Sequence, residues 1–96
     1  MEKNDKHFFY VLSCKDGSFY GGYTNNLARR IKLHNEGNGA KYTRGRGPVT
    51  LLYYQTFSNK TDALKAEYEF KKKSRKNKEE FLIIVNGGYY VAAKEL

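Results

Sequence analysis

Three short stretches that are rich in aromatic and β-branched residues predict the strands of a sheet. They cover residues 7–14, 19–23 and 49–57. Between the first two stretches, Asp16-Gly17 is a turn signal that joins them as a hairpin. The glycine pair at residues 21–22 weakens the second strand and is compatible with a bulge there. The pattern therefore predicts a hairpin and, much later in the chain, a third strand.

Capping residues and helical spacing predict three helices in the remaining segments. The first begins at Thr24 or Asn25 and stops at Gly37, the second covers residues 60–73 after Ser58 or Asn59, and the third has Asn77 and Glu80 at its N-cap and N3 positions and ends at Asn86-Gly87. The resulting order, β-β-α-β-α-α, predicts an α+β fold in which a small three-stranded, largely antiparallel sheet is flanked by helices. We expect the domain to cover residues 7–86, with residues 1–6 and 87–96 as short terminal extensions.

The composition restricts the class of protein. A chain of 96 residues is long enough for one domain with one core. Its single cysteine, Cys14, excludes an internal disulfide framework and a multi-cysteine zinc site. No secretory signal opens the sequence, and no apolar run reaches the roughly 20 residues of a membrane span. We therefore expect a soluble cytoplasmic protein with no membrane partner, in which Cys14 is a small buried hydrophobe.

Positive charge is the strongest feature of the composition. The net charge of +8 favours an anionic partner, and nucleic acid is the most common one. The cations concentrate in a glycine-rich loop at residues 37–48 and in a run at residues 71–78. The candidate nucleic-acid-binding side chains are Lys41, Tyr42, Arg44, Arg46, Lys72 and Arg75. The alternative for both segments is a solvated surface without a binding role.

Helical geometry separates the two adjacent arginines of the first predicted helix. At about 100° per residue, the apolar stripe of this helix runs through Leu27, Ala28 and Ile31. Arg30 and His34 lie one turn apart and border that stripe on the same side, whereas Arg29 points away from it. Arg30 and His34 are therefore the candidates for a role at an inward-facing site.

The second predicted helix carries a carboxylate in an unusual place. Glu67 lies in the middle of a stripe formed by Ala63, Leu64, Ala66, Tyr68 and Phe70. A carboxylate among apolar side chains requires a cation, a metal ion or several hydrogen-bond donors. Two explanations stay open, namely a buried salt bridge with Arg30 and a metal ligand at the rim of a site. Glu69 faces the opposite way, among lysines.

The relative position of two strand tyrosines depends on the hairpin. If the loop consists of Asp16-Gly17 alone, Tyr20 pairs with Ser13 and lies on the opposite face of the sheet from Tyr10. A loop of odd length or a bulge places both tyrosines on one face. Packing in the sheet is the ordinary role of any single tyrosine in a strand, and the sequence leaves the register open.

Taken together, these residues resemble the GIY-YIG nuclease superfamily. The resemblance rests on "FFYVL" at 8–12, "YGG" at 20–22, Arg30, His34 and the helix with "AEYEFKKKSR", and it covers roughly residues 7–85. It is strongest with the small single-domain, UPF0213-like and URI-type members, which are related to the nuclease half of the excision-repair subunit UvrC. The chain departs from the name-giving motif because Phe8-Phe9 replace Gly-Ile and Gly21 replaces the central Ile.

The resemblance implies a role for each matching residue. Tyr10, Tyr20, Arg30 and His34 match catalytic positions, Gly22 matches a structural position of the motif, and Glu67 matches the metal-binding glutamate. One carboxylate implies a single Mg²⁺ or Mn²⁺ ion that water and phosphate oxygens complete. The implied substrate is DNA, in single-stranded, branched or damaged form, and RNA is not excluded.

Two classes of function stay open at this point. The resemblance implies a divalent-metal-dependent endonuclease that hydrolyses phosphodiester bonds. The alternative is a non-catalytic nucleic-acid-binding module that keeps the same fold. Because no segment of the chain reads as a specificity domain, a partner protein is a further expectation, while the oligomeric state is not predicted.

Overall fold

The computed structural model describes residues 6–39, 45 and 47–86, and its elements follow the predicted order β-β-α-β-α-α. They are β1 (His7–Ser13), β2 (Phe19–Thr24), α1 (Leu27–Asn35), β3 (Thr50–Phe57), α2 (Lys60–Lys71) and α3 (Arg75–Val85). The prediction of a small α+β domain with a three-stranded antiparallel sheet is confirmed. None of the helices in the described residues is long and apolar enough to cross a membrane.

The sheet has the order β2-β1-β3, so β1 is the central strand and is buried on both faces. One face packs against α2 and α3 through Phe9, Val11, Phe19, Phe70 and Leu82. The other face, which we call the α1 face, contains Tyr10, Leu12, Cys14 and Val49, with Leu27 and Ile31 of α1 packed on them. Cys14 is buried, which agrees with its prediction as a small hydrophobe. Successive residues of β1 therefore point alternately into two different layers.

The hairpin register places both strand tyrosines on the α1 face. Leu12 pairs with Tyr20, and Tyr10 pairs with Gly22, because residues 14–18 form a loop of odd length. Asp16 stabilises this loop by accepting hydrogen bonds from the Ser18 amide at 3.0 Å and the Ser18 hydroxyl at 2.6 Å. These hydrogen bonds from Ser18 to the side chain of Asp16 stabilise the longer loop.

Both ends of α1 are fixed by local hydrogen bonds. The predicted N-cap, Thr24 or Asn25, is wrong, since the carboxamide of Asn26 accepts from the Arg29 amide at 3.2 Å. The predicted stop at Gly37 is confirmed by its positive φ of 80°. The amides of Gly37 and Asn38 donate to the carbonyls of His34 and Leu33, at 3.1 and 2.9 Å, which is a Schellman motif.

The boundaries of the last two helices differ from expectation at two points. Asn59 caps α2 as predicted, but α2 ends at Lys71 rather than at residue 73. The prediction of Asn77 as N-cap of α3 is wrong, because the Ser74 hydroxyl accepts from the Asn77 amide at 3.1 Å and starts the helix three residues earlier. At the other end, Asn86 is the C-cap and donates from its carboxamide to the Leu52 carbonyl of β3 at 3.3 Å.

Candidate active site

A buried tyrosine–histidine pair forms the centre of the candidate site. Tyr10 on β1 and His34 in the last turn of α1 are both almost completely buried. The Tyr10 hydroxyl lies 2.9 Å from His34 Nε2, and the two rings meet edge to face at 5.8 Å between centroids. A buried polar group is unfavourable unless it is hydrogen-bonded, so this contact helps to hold both side chains in place.

The tyrosine–histidine pair fits only because two neighbouring residues are glycines and have no side chain. A Cβ atom at Gly22 would lie 2.5 Å from both Cζ and the hydroxyl oxygen of Tyr10. A Cβ atom at Gly39 would lie 2.5 Å from Nδ1 of His34. The structural role predicted for Gly22 is therefore a steric one. The role of Gly39 was missed, because in sequence nothing distinguishes it from the other glycines of the same loop.

Tyr20 and Arg30 lie beside the pair. The Tyr20 ring is 5.2 Å from the His34 ring and 6.3 Å from the Tyr10 ring, between centroids. Arg30 is half-buried, while Arg29 is exposed, as helical geometry predicted. The Arg30 Nε is buried and has no hydrogen-bond partner among the described residues. A buried donor without a partner is uncommon in a folded protein, and it marks this place as one where an acceptor can bind.

Burial controls the protonation of the pair. It raises the pKa of Tyr10 to about 12, although the hydrogen bond and the charge of Arg30 act in the opposite direction. Burial, together with the charge of Arg30, lowers the pKa of His34 to about 4. Interaction with the Tyr10 hydroxyl in turn raises the pKa of Arg30. At neutral pH the site therefore contains a protonated tyrosine, a neutral imidazole and a charged guanidinium.

Acid is expected to destabilise the fold through His34. The folded-state pKa of about 4 lies below the ordinary value of 6.5, so the unfolded chain binds this proton more tightly. The stabilising contribution is complete above pH 6.5 and is lost, at about 1.4 kcal/mol per pH unit, as the pH falls toward 4. Urea unfolding over this range should show the slope in the wild type and a smaller slope in His34→Gln. Equal slopes in the two proteins would contradict a neutral, buried imidazole.

Glu67 approaches the same site from α2. Its side chain is only 18% exposed, and its Oε2 lies 3.0 Å from Lys71 Nζ. That ammonium also lies 5.7 Å from the centroid of the Tyr20 ring. The negative charge of Glu67 is near enough to contribute to the raised pKa of Tyr10. Glu67 therefore lies near both tyrosines, on the side of α2 from which Lys71 reaches the Tyr20 ring.

The sequence left open a buried salt bridge between Glu67 and Arg30, and the structure shows a different partner for Glu67. The ion pair is made with Lys71, one turn along the same helix, and not with Arg30. The expected apolar stripe around Glu67 is also only half correct. Ala63 and Phe70 are buried, but Leu64 is 39% and Tyr68 is 64% exposed. Glu67 therefore lies at the boundary between core and solvent, where an exchange of cations is sterically possible.

The oxygen donors at this place suit a hard divalent ion that keeps most of its water. The described residues contain no group of three or more histidine, cysteine or acidic side chains that could hold a metal ion. Mg²⁺ often binds through one or two carboxylates together with water and phosphate oxygens, and one half-buried carboxylate satisfies that requirement. Glu67 is thus a fitting ligand, with Lys71 as the cation that neutralises it in the present arrangement.

The structure describes two of the six side chains predicted to bind nucleic acid, Lys72 and Arg75. Lys41, Tyr42, Arg44 and Arg46 lie outside the residues that the structure describes. Lys72 is exposed at the C-cap of α2. Arg75 is held by three contacts, with the Glu79 carboxylate at 2.9 Å, the Gly17 carbonyl at 3.0 Å and the face of the Phe19 ring at 3.9 Å. Arg75 therefore connects α3 to the hairpin loop, and a role of either side chain toward nucleic acid stays a prediction.

Comparison with known proteins defines the family. Residues 6–80 match the GIY-YIG catalytic domain, so the chain belongs to the GIY-YIG family. Its fold is of the nuclease type, and nucleases of this family typically use divalent metal ions.

Similar single proteins agree with this assignment. A UPF0213 protein of Bacillus licheniformis is 62% identical over 82 residues, which cover 85% of this chain and 84% of the relative. The solution NMR structure of a UPF0213 protein from Bacillus halodurans is similar with 49% identity and a TM-score of 0.55, over 86% of each chain. A protein from E. faecalis, also solved by NMR, is similar with 46% identity and a TM-score of 0.62, over 96% of this chain and 98% of the other. Their names state no activity.

Proposed function

We propose that this protein is a divalent-metal-dependent endonuclease that hydrolyses phosphodiester bonds in DNA. The observation that carries the proposal is the convergence of Tyr10, Tyr20, Arg30 and His34 from three elements on one buried point, with Glu67 facing it. A core that needed only packing would place apolar side chains here, because burying polar and charged groups is unfavourable. Such a concentration of perturbed groups is typical of catalytic sites.

Arg30 would bind the phosphate whose bond is cut. Its guanidinium is charged at neutral pH, and the buried Nε is a donor without a protein acceptor in the described part of the chain. A guanidinium can donate two parallel hydrogen bonds to two phosphate oxygens, and it stabilises the negative charge that develops on them. Contact with the Tyr10 hydroxyl would hold the guanidinium in the orientation that this binding requires.

Tyr10 would orient the attacking water and receive its proton. A pKa of about 12 keeps the hydroxyl protonated in the free protein, so Tyr10 acts as a base only if neighbouring positive charge lowers this value. Arg30 already acts in that direction. His34, which is neutral at pH 7, would keep the hydroxyl in place by accepting its hydrogen bond through Nε2. Tyr20, beside both rings, would position the water or the phosphate.

Glu67 would hold the metal ion, in exchange for its present ion pair with Lys71. A bound divalent ion supplies Lewis-acid polarisation of the phosphate and stabilises the leaving oxygen. The ammonium of Lys71, once released from the carboxylate, stays within reach of Tyr20 and of a nearby phosphate. Lys71 was not among the candidate residues predicted from the sequence. Its position four residues after Glu67 is the signal that could have identified it, because residues i and i+4 are neighbours on a helix.

Cleavage of labelled single-stranded, duplex and forked DNA tests the proposal directly. With Mg²⁺ or Mn²⁺ the wild-type protein should cut at least one of these forms, and addition of EDTA should stop the reaction. RNA strands of the same sequence belong in the same assay, because no described feature of the site selects against a 2′-hydroxyl. If the protein binds DNA with a steep salt dependence but cuts nothing at any metal concentration, the binding module is the correct account.

A further inference from the structure

Two apolar side chains on α2 are exposed without any role in the core. Leu64 and Tyr68 lie one helical turn apart and form a continuous strip, with exposures of 39% and 64%. One exposed tyrosine is ordinary on a protein surface. The position of this strip and the charges around it are the features that require an explanation.

The strip begins on the side of α2 that carries the candidate metal ligand and continues toward solvent. At about 100° per residue, Lys71, Leu64 and Tyr68 follow Glu67 around the helix in that order, and Tyr68 lies about midway between Glu67 and Glu69. The side that carries Glu67 and Lys71 faces strand β2, because Lys71 Nζ lies over the Tyr20 ring and Lys60 Nζ lies over the Tyr23 ring, at 5.7 and 5.6 Å. Tyr68 therefore lies outward of Lys71, on the exposed part of α2.

Positive charge flanks the Tyr68 ring. Lys72 Nζ lies 5.2 Å from its centroid, and Lys71 occupies the neighbouring position toward the site. Glu69 is paired with Lys72 at 3.6 Å, and both of these side chains are more than half exposed. Exposed pairs of this kind are weak, so Lys72 can exchange its partner at little expense in free energy. The part of the exposed Tyr68 ring that Lys72 does not cover, next to exposed ammonium groups, suits a nucleobase with its phosphates.

We propose that Tyr68 is a stacking platform for an unpaired nucleobase next to the bond that is cut, and that Lys72 contacts the adjoining phosphate. The inference rests on the proposed nuclease function and narrows it to substrates with an unpaired strand at the site. In a duplex the bases are stacked on each other and offer no free face to the ring. Single-stranded DNA, or the single-stranded part of a fork or flap, meets the requirement.

Fluorescence of a Tyr68→Trp variant tests the stacking directly, because the chain contains no tryptophan of its own. The protein is titrated with a short oligothymidylate in EDTA, so that no cleavage occurs. Stacking should quench the emission of the introduced indole, and a duplex of equal length should quench it less. The matched control is Ile84→Trp, since Ile84 is 76% exposed and belongs to α3, so that it lies neither on α2 nor on the α1 face.

Affinity measurements provide the second readout. Tyr68→Ala should weaken binding of the oligothymidylate about 5- to 100-fold, Tyr68→Phe should preserve it, and duplex affinity should change less than about twofold. If the wild type cuts DNA but neither the quenching nor the affinity loss occurs, the stacking platform is wrong and the nuclease function stands. If both occur but no metal supports cleavage, Tyr68 stacks bases in a binding module and the nuclease function is wrong.

Discussion

Arg30→Ala is expected to lower the single-turnover rate of DNA cleavage by about 10²- to 10³-fold, the loss seen when one donor to a developing oxyanion is removed. Arg30 is the charged group that contacts Tyr10 and carries a buried donor without an acceptor among the described residues. Its removal takes away the charge that lowers the pKa of Tyr10 and, on the proposed mechanism, the contact with the phosphate. Rapid-quench measurements at saturating protein separate this effect from weaker DNA binding.

The neighbouring arginine provides the control for this experiment. Arg29 has the same charge and belongs to the same helix turn, but it is exposed. Arg29→Ala should therefore weaken DNA binding at most slightly and leave the rate at saturation unchanged. Arg30→Lys should recover only a small part of the rate, because an ammonium keeps the charge but loses the planar pair of donors. Equal effects of Arg29→Ala and Arg30→Ala would show that charge alone matters and would contradict the assigned geometry.

Glu67→Gln is expected to remove metal-dependent cleavage, with a decrease of at least about 10³-fold at any practical Mn²⁺ concentration. The substitution of glutamine for glutamate keeps the size of the side chain and removes the negative charge that binds a divalent ion. Binding of Mn²⁺, followed by electron paramagnetic resonance or calorimetry in the absence of DNA, should be weakened in parallel. This second readout does not depend on turnover.

The structure indicates that Glu67→Gln leaves the fold intact. The only ion pair that it breaks within the described residues is an i,i+4 pair with Lys71, whose side chain is 51% exposed, and such pairs contribute at most about 0.5 kcal/mol. Glu69→Gln is the matched control. Glu69 lies on the same helix and forms a similar ion pair, with Lys72, but it points away from Glu67 and the candidate site. Wild-type Mn²⁺ affinity in Glu67→Gln, or a loss in Glu69→Gln, would refute the assignment of the ligand.

Most of the fold follows from the sequence because local signals dominate it. Aromatic and β-branched stretches, one Asp-Gly turn and a glycine stop give the correct element order. The errors occur where several residues compete for one local role. Asn26 rather than Thr24 or Asn25 caps α1, and Ser74 rather than Asn77 caps α3, since each is a good acceptor and only the helix packing selects between them.

The candidate site could be predicted to the extent that it depends on one helix at a time. Helical periodicity separates Arg30 from Arg29, because burial follows the turn of the helix. The stripe predicted for α2 was too wide, because Leu64 and Tyr68 lie about 100° or more around the helix from the buried Ala63 and Phe70. The shared face of Tyr10 and Tyr20 depends on a loop of odd length, which the turn signal alone left undecided.

The most direct test of the central claim is the single-turnover cleavage rate of Tyr10→Phe, compared with wild type and with Tyr54→Phe. The substitution deletes one oxygen atom and keeps the buried ring, so the fold should lose only about 1–2 kcal/mol through the lost hydrogen bond between Tyr10 and His34. If the buried pair is catalytic, Tyr10→Phe cuts at least about 10²-fold more slowly, whereas Tyr54→Phe cuts at the wild-type rate. Wild-type cleavage by a folded Tyr10→Phe protein would show that the pair is structural and would contradict the account.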